Sequence, residues 1–121
     1  MVLGVNQLSQ KKCQPCGKGV NPLSFEQAKG YASELSGWVL APDGKSISRQ
    51  YLMKDFATAV QLIDRIAEIA EAEDHHPDLH LTGYRKLAIT LATHSIGGLS
   101  ENDFILAAKI DELPKELKKS A

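Results

Sequence analysis

The sequence predicts an α+β fold, a four-stranded antiparallel sheet with three helices on one face, in the order α-β-β-α-β-β-α. Three observations lead to it. Apolar residues recur at three- and four-residue steps in stretches that open on capping residues. Between them lie two pairs of short extended runs, each pair close enough in sequence to be antiparallel neighbours. Gly37, Pro77 and Pro114 supply the helix stops that separate these segments. One sheet covered on one side buries all three amphipathic stripes and leaves its other face wet or open to a partner.

The first helix starts at Ser24, because Ser24 and Gln27 have capping-box spacing and Leu23 holds the staple position, and it runs to about Ser36. Gly37 ends it and Trp38-Val39-Leu40 begins an extended run. Ala41-Pro42-Asp43-Gly44-Lys45 is a turn, since Pro pre-sets its backbone angle and Gly tolerates a positive one. Ile47 to Met53 returns as the partner strand. Asp55 caps a long second helix whose Phe56, Ala59, Val60, Ile63, Ile66, Ala67 and Ala70 mark a buried face. Pro77 cannot continue that helix and pushes His76 out of the helical region. Leu79 to Leu81 forms a third strand and, after Gly83, Arg85 to His94 forms a fourth, with Leu87, Ile89 and Leu91 alternating against Ala88, Thr90 and Ala92. Ser95 to Leu99 is a loop, and a third helix runs from Ser100, spaced to Asp103 like a capping box, to about Leu113.

With 121 residues, 43% apolar and 24% charged, the chain is sized for one core, which we place at 23–121. Residues 1–22 read as a loose basic arm carrying Lys11, Lys12, Lys18 and a Cys13-x-x-Cys16 pair. A formal net charge of -1 gives no general pull toward nucleic acid or anionic lipid. No apolar run reaches the ~18 residues of a membrane span, and Met1 to Ser9 lacks the apolar core of a signal peptide. Two cysteines are too few for a secreted disulfide framework, so a cytoplasmic protein is expected.

Chemistry concentrates between Glu71 and Asp103, where Glu71, Asp74, His75, His76, His94 and Asp103 all fall at element ends or in loops. Singly, each has a bland reading: a histidine interacting with a helix dipole, or an acid in a first turn. Two imidazoles before a helix-ending proline and a third at a strand end would be an inefficient way to stabilise a fold. Zinc is disfavoured: in a strand His76 and His80 sit about 13 Å apart at ~3.3 Å per residue, and the CxxC has no second half at finger spacing. We therefore expect no metal. Histidines beside a carboxylate suit general acid–base catalysis, because an imidazole both donates and accepts protons near neutral pH. No nucleophile elbow and no phosphate-cradling glycine loop accompanies them, which favours a simple elimination or isomerisation.

The pattern Glu71-x-x-x-His75-His76-Pro77, then Tyr84, nine residues, His94, eight residues, Asp103 resembles the signature of the pterin-4a-carbinolamine dehydratases. The resemblance extends from about Leu23 to Leu113 and takes in Gly37-Trp38 and the Thr93-His94 to Glu101 stretch. It implies the fold above, a homodimer or homotetramer, and no prosthetic group. It also implies the reaction: loss of the 4a-hydroxyl of 4a-hydroxytetrahydropterin to give quinonoid dihydropterin, in the recycling of a tetrahydrobiopterin-type cofactor. On this resemblance His75 and His94 are the proton-transferring pair, His76 lines and positions the pterin, and Asp103 orients His94. Glu71 belongs to the pocket edge, Pro77 is among the substrate-binding residues, and Asp74 and Thr93 offer hydrogen bonds to the pterin. The resemblance carries an alternative, a non-catalytic interaction module, since relatives also serve as dimerisation cofactors of a transcription factor or as enzyme-assembly factors. The complete histidine set favours the enzyme. It assigns nothing to the Cys13–Cys16 arm, and Trp38 reads as core packing.

Overall fold

The computed structural model describes residues 8–14 and 21–119. The first helix, α1 (Phe25–Ala32), opens on the Ser24–Gln27 capping box, with Ser24 Oγ accepting from Gln27 N at 3.1 Å. It ends short of Ser36. Ser33 Oγ bonds back to Gly30 O, and the amides of Glu34 and Leu35 reach only three residues back, so the chain tightens into turns that bury Leu35. Gly37 follows at φ +88, a left-handed conformation that strains any residue bearing a Cβ, so the turn favours a glycine.

Strands β1 (Val39–Leu40), β2 (Ile47–Leu52), β3 (Asp78–Thr82) and β4 (Lys86–Leu91) form one antiparallel sheet in the order β1-β2-β4-β3. Pairing of Ile47 with Leu91, Tyr51 with Leu87, and Leu79 with Ile89 places one residue set on a single face. That face carries the core: Ile47, Tyr51, Leu87, Ile89 and Leu91 are buried against the helices. The opposite face presents Ser48, Gln50, Ala88, His80 and Asp78. At the end of β2, Met53 pairs in an isolated bridge with Leu117 of the C-terminal tail.

Helix α2 (Phe56–Glu73) is capped by Asp55, whose carboxylate accepts from Thr58 N at 2.9 Å. Its apolar residues face two ways. Ala59, Leu62, Ile66 and Ala70 enter the core, whereas Phe56 is 55% exposed and Val60 37% exposed. The expected buried stripe is thus too wide, because it joined the inward row to a neighbouring row directed at solvent, and Ala67 goes with the outer row. Helix α3 (Glu101–Glu112) is buried along most of its length, Asn102 to Ala108 included. Trp38 is core packing, with its indole N–H donating to Asp111. None of the described helices is long and apolar enough to cross a membrane.

Residues 8–14 of the N-terminal arm lie along α3. Leu8 is fully buried, Ser9 Oγ donates to Glu112 at 2.6 Å, and Lys11 pairs with Glu101 at 2.9 Å. Cys16 and the remainder of the arm lie outside the described residues.

Candidate active site

The C-terminus of α2 sets the first histidine. Asp74 caps the helix in the left-handed region, φ 52, a conformation that aspartate tolerates better than most residues. His75 N bonds back to Ala70 O at 3.1 Å, and Pro77 then forces the chain to extend into β3. This corner turns His75 toward the first turn of α3. His75 Nε2 lies 2.6 Å from Asp103 Oδ1, with the imidazole side chain 11% exposed and the carboxylate fully buried.

Asp103 divides its two oxygens. While Oδ1 meets His75, Oδ2 accepts from the Ser100 backbone amide at 3.0 Å and from Thr93 Oγ1 at 2.8 Å. Thr93 Oγ1 also lies 2.8 Å from Ser100 Oγ, so a buried hydroxyl pair holds the carboxylate in place. The carboxylate is both a helix cap and the partner of an imidazole.

The other expected residues divide among three places. Beyond β4, Thr93 N bonds to Gly98 O at 2.8 Å, and Gly97, at φ 71, caps a short 3-10 turn, His94–Ile96. The fourth strand therefore stops at Leu91 rather than His94. Within this closed turn Thr93 is buried and His94 exposed, so Asp103 meets His75 and not His94. His76 is exposed and pairs with Glu71. This pair borders an apolar hollow of about 380 Å³, lined also by Ile66, Ala70, Pro77 and Leu79.

A polar cleft of about 320 Å³ joins the remaining expected residues, His75, Asp74 and Thr93, to Cys13, Gln14, Glu73, Ser95 and Asn102. Local sequence carries no signal for Cys13, Gln14, Glu73 and Asn102, because the arm contacts that bring these four together span 60 to 89 positions. Burial and the carboxylate of Glu73 push the Cys13 thiol up to about 12. A larger cleft of about 540 Å³, lined by Lys54, Arg85, Glu116 and the tail to Lys119, holds no histidine. Among the described residues no three His, Cys, Asp or Glu side chains converge as metal ligands.

The fold and this cleft define a one-sheet α+β protein with a carboxylate-held imidazole beside a pocket of hydrogen-bonding groups. The family model for pterin 4 alpha carbinolamine dehydratase matches residues 21–113. The chain is 46% identical over 112 residues to pterin-4-alpha-carbinolamine dehydratase 2, mitochondrial, of Arabidopsis thaliana, covering 90% of this chain and 60% of that protein. It is 44% identical over 106 residues to a Halorhodospira halophila relative bearing the same dehydratase name, covering 88% of this chain and 96% of that one. Among solved structures, a transcriptional coactivator/pterin dehydratase from Brucella melitensis superposes with TM-score 0.70 at 34% identity, over 75% of this chain and 96% of that one. A pterin dehydratase-like RuBisCO assembly factor of the alpha-carboxysome shares the fold, with TM-score 0.53 at 20% identity over 62% and 86% of the two chains. The chain belongs to the pterin 4 alpha carbinolamine dehydratase family, a family of hydro-lyases.

Proposed function

We propose that the chain dehydrates 4a-hydroxytetrahydropterin to quinonoid dihydropterin at the His75 cleft. The observation that carries this reading is the 2.6 Å contact between His75 and the fully buried Asp103, inside a cleft that also holds Asp74 and Thr93. In the reaction the C4a–O bond breaks and a proton joins the departing hydroxyl, which leaves as water. The lone pair on N5 forms the new C=N bond, and the N5 proton passes to a base. One acid and one base therefore suffice, and the protein itself loses and gains no net proton.

His75 is the proton-transferring group that Asp103 orients, because a buried carboxylate stabilises the imidazolium form at the moment it develops. His94 serves as the second proton-transferring group: it is exposed and sits in the chain between Thr93 and Ser95, which line the cleft. His76 and Glu71 flank the neighbouring apolar hollow, with Pro77 at its edge, and position the ring system. Asp74 and Thr93 supply hydrogen bonds to the pterin. No prosthetic group enters this scheme.

We also propose a homodimer or homotetramer, supported by the edge position of β3 among the described strands and the exposed Phe56–Val60 row on α2. The same row is what a second role as a protein-docking module would use. A reducing compartment such as the cytoplasm suits the Cys13 thiol, which donates to Asn102 O. The test of the function is stopped-flow dehydration of synthetic 4a-hydroxytetrahydropterin. Acceleration over the buffer rate at catalytic protein concentration is expected; a rate equal to buffer would leave the docking role in its place.

A further inference from the structure

The N-terminal arm is anchored in the core by Leu8 and reaches the cleft through polar contacts with α2 and α3. Asn102, 6% exposed in the first turn of α3, grips the backbone of Gln14 at two points: Gln14 N donates to Asn102 Oδ1 at 2.8 Å and Asn102 Nδ2 donates to Gln14 O at 2.6 Å. A side-chain amide here imitates one rung of a β-ladder. One residue earlier, Cys13 N donates to Glu73 Oε1 at 2.8 Å and Cys13 Sγ lies 3.6 Å from Asn102 O. Lys109 Nζ, 2.7 Å from Ser9 O, and the Lys11–Glu101 pair fix the arm further along α3.

The consequence lies in which residues this brings together. Cys13 and Gln14 line the same cleft as His75, Asp74 and Thr93, and their latch, Asn102, is the immediate neighbour of Asp103 on one helical turn. We propose that Cys13 and Gln14 form a wall of the pterin site, with Gln14 as a substrate-positioning residue and Asn102 as the latch that seats it.

This rests on the dehydratase reading and extends it to a segment that the catalytic pattern does not include. The chemistry of the wall fits a neutral heterocycle. With its thiol held protonated, Cys13 adds no charge and no nucleophile. The Gln14 carboxamide carries a donor and an acceptor side by side, the complement of the N–H and C=O that adjoin in the pyrimidinone edge of a pterin.

The experiment compares wild type, Gln14→Ala and Asn102→Ala in two readouts: KM and kcat for dehydration, and the Kd of fully oxidised, unreactive biopterin followed by its fluorescence. Both variants are expected to raise KM and Kd at least fivefold, with a smaller change in kcat. Gln14 is exposed, so Gln14→Ala reports on the wall even where Asn102→Ala is too unstable to assay. Unchanged KM and Kd in Gln14→Ala would overturn the inference while leaving the dehydratase reading intact. A wild-type protein that neither dehydrates the substrate nor binds biopterin would overturn the reading and the inference together.

Discussion

Asp103→Asn separates the two tasks of this carboxylate. Asparagine can set its carbonyl where Oδ2 stands and keep the bonds from Ser100 N, 3.0 Å, and Thr93 Oγ1, 2.8 Å. Its NH2 then replaces Oδ1 opposite His75 Nε2. That geometry is tolerable while the imidazole is neutral and its Nε2 accepts, but an imidazolium N–H would face another N–H. The cap survives and the support of the charged ring is lost. One charge-assisted hydrogen bond at a buried site contributes about 1.5–3 kcal/mol, which as a loss of transition-state stabilisation is roughly 10- to 150-fold in rate. The resting fold loses only about 1 kcal/mol, or ~3–5 °C in Tm for a domain of this size. The assay pairs kcat for dehydration with thermal melting. Turnover within twofold of wild type would show that Asp103 is only a helix cap, and His75 would lose its role as a carboxylate-supported proton carrier.

Two further outcomes follow from the arm. In a Cys16→Ser background Cys13 should alkylate with iodoacetamide at pH 8 about 10³-fold more slowly than a free thiol, because burial and Glu73 hold it protonated; alkylation at the rate of an unfolded control would refute this. Burial alone would push Glu101 up, but hydrogen bonds from Lys11 and Tyr31 hold it below the ordinary carboxylate value. A value lowered in the folded state stabilises above the unfolded value of about 4.3 and is lost as pH falls through the folded one. Glu101→Gln should therefore melt lower than wild type at pH 7, with the gap narrowing as the pH falls below the ordinary carboxylate range, and a gap that stays constant with falling pH would contradict the assignment.

Most of the architecture is legible because it rests on local rules. Ser24–Gln27, Asp55, Pro77 and the alternation of Leu87, Ile89 and Leu91 each act within a few residues, and the elements begin where these signals place them. The ends are less legible where a bond inside a turn, which no residue pattern announces, decides. The first helix stops at Ala32 because Ser33 bonds back to Gly30, and the fourth strand stops because the Thr93–Gly98 bridge closes a turn. At the site, His75 and Asp103 are visible in the spacing, but which imidazole the carboxylate holds depends on the alternation inside that turn, which buries Thr93 and exposes His94. Asn102 and Glu73 were illegible as partners of the arm, since an amide and a carboxylate on helices give no sign of a backbone 60 to 89 positions away.

The most direct measurement is the dehydration rate of His75→Gln on synthetic 4a-hydroxytetrahydropterin. Glutamine can still reach Asp103 with a hydrogen bond, so the buried carboxylate stays partnered, but a carboxamide neither gains nor releases a proton near neutral pH. Proton transfer by His75 predicts a fall in kcat of about 10²-fold or more with Tm within a few degrees of wild type. Retention of wild-type kcat in this variant would contradict it and move the chemistry away from the His75–Asp103 pair.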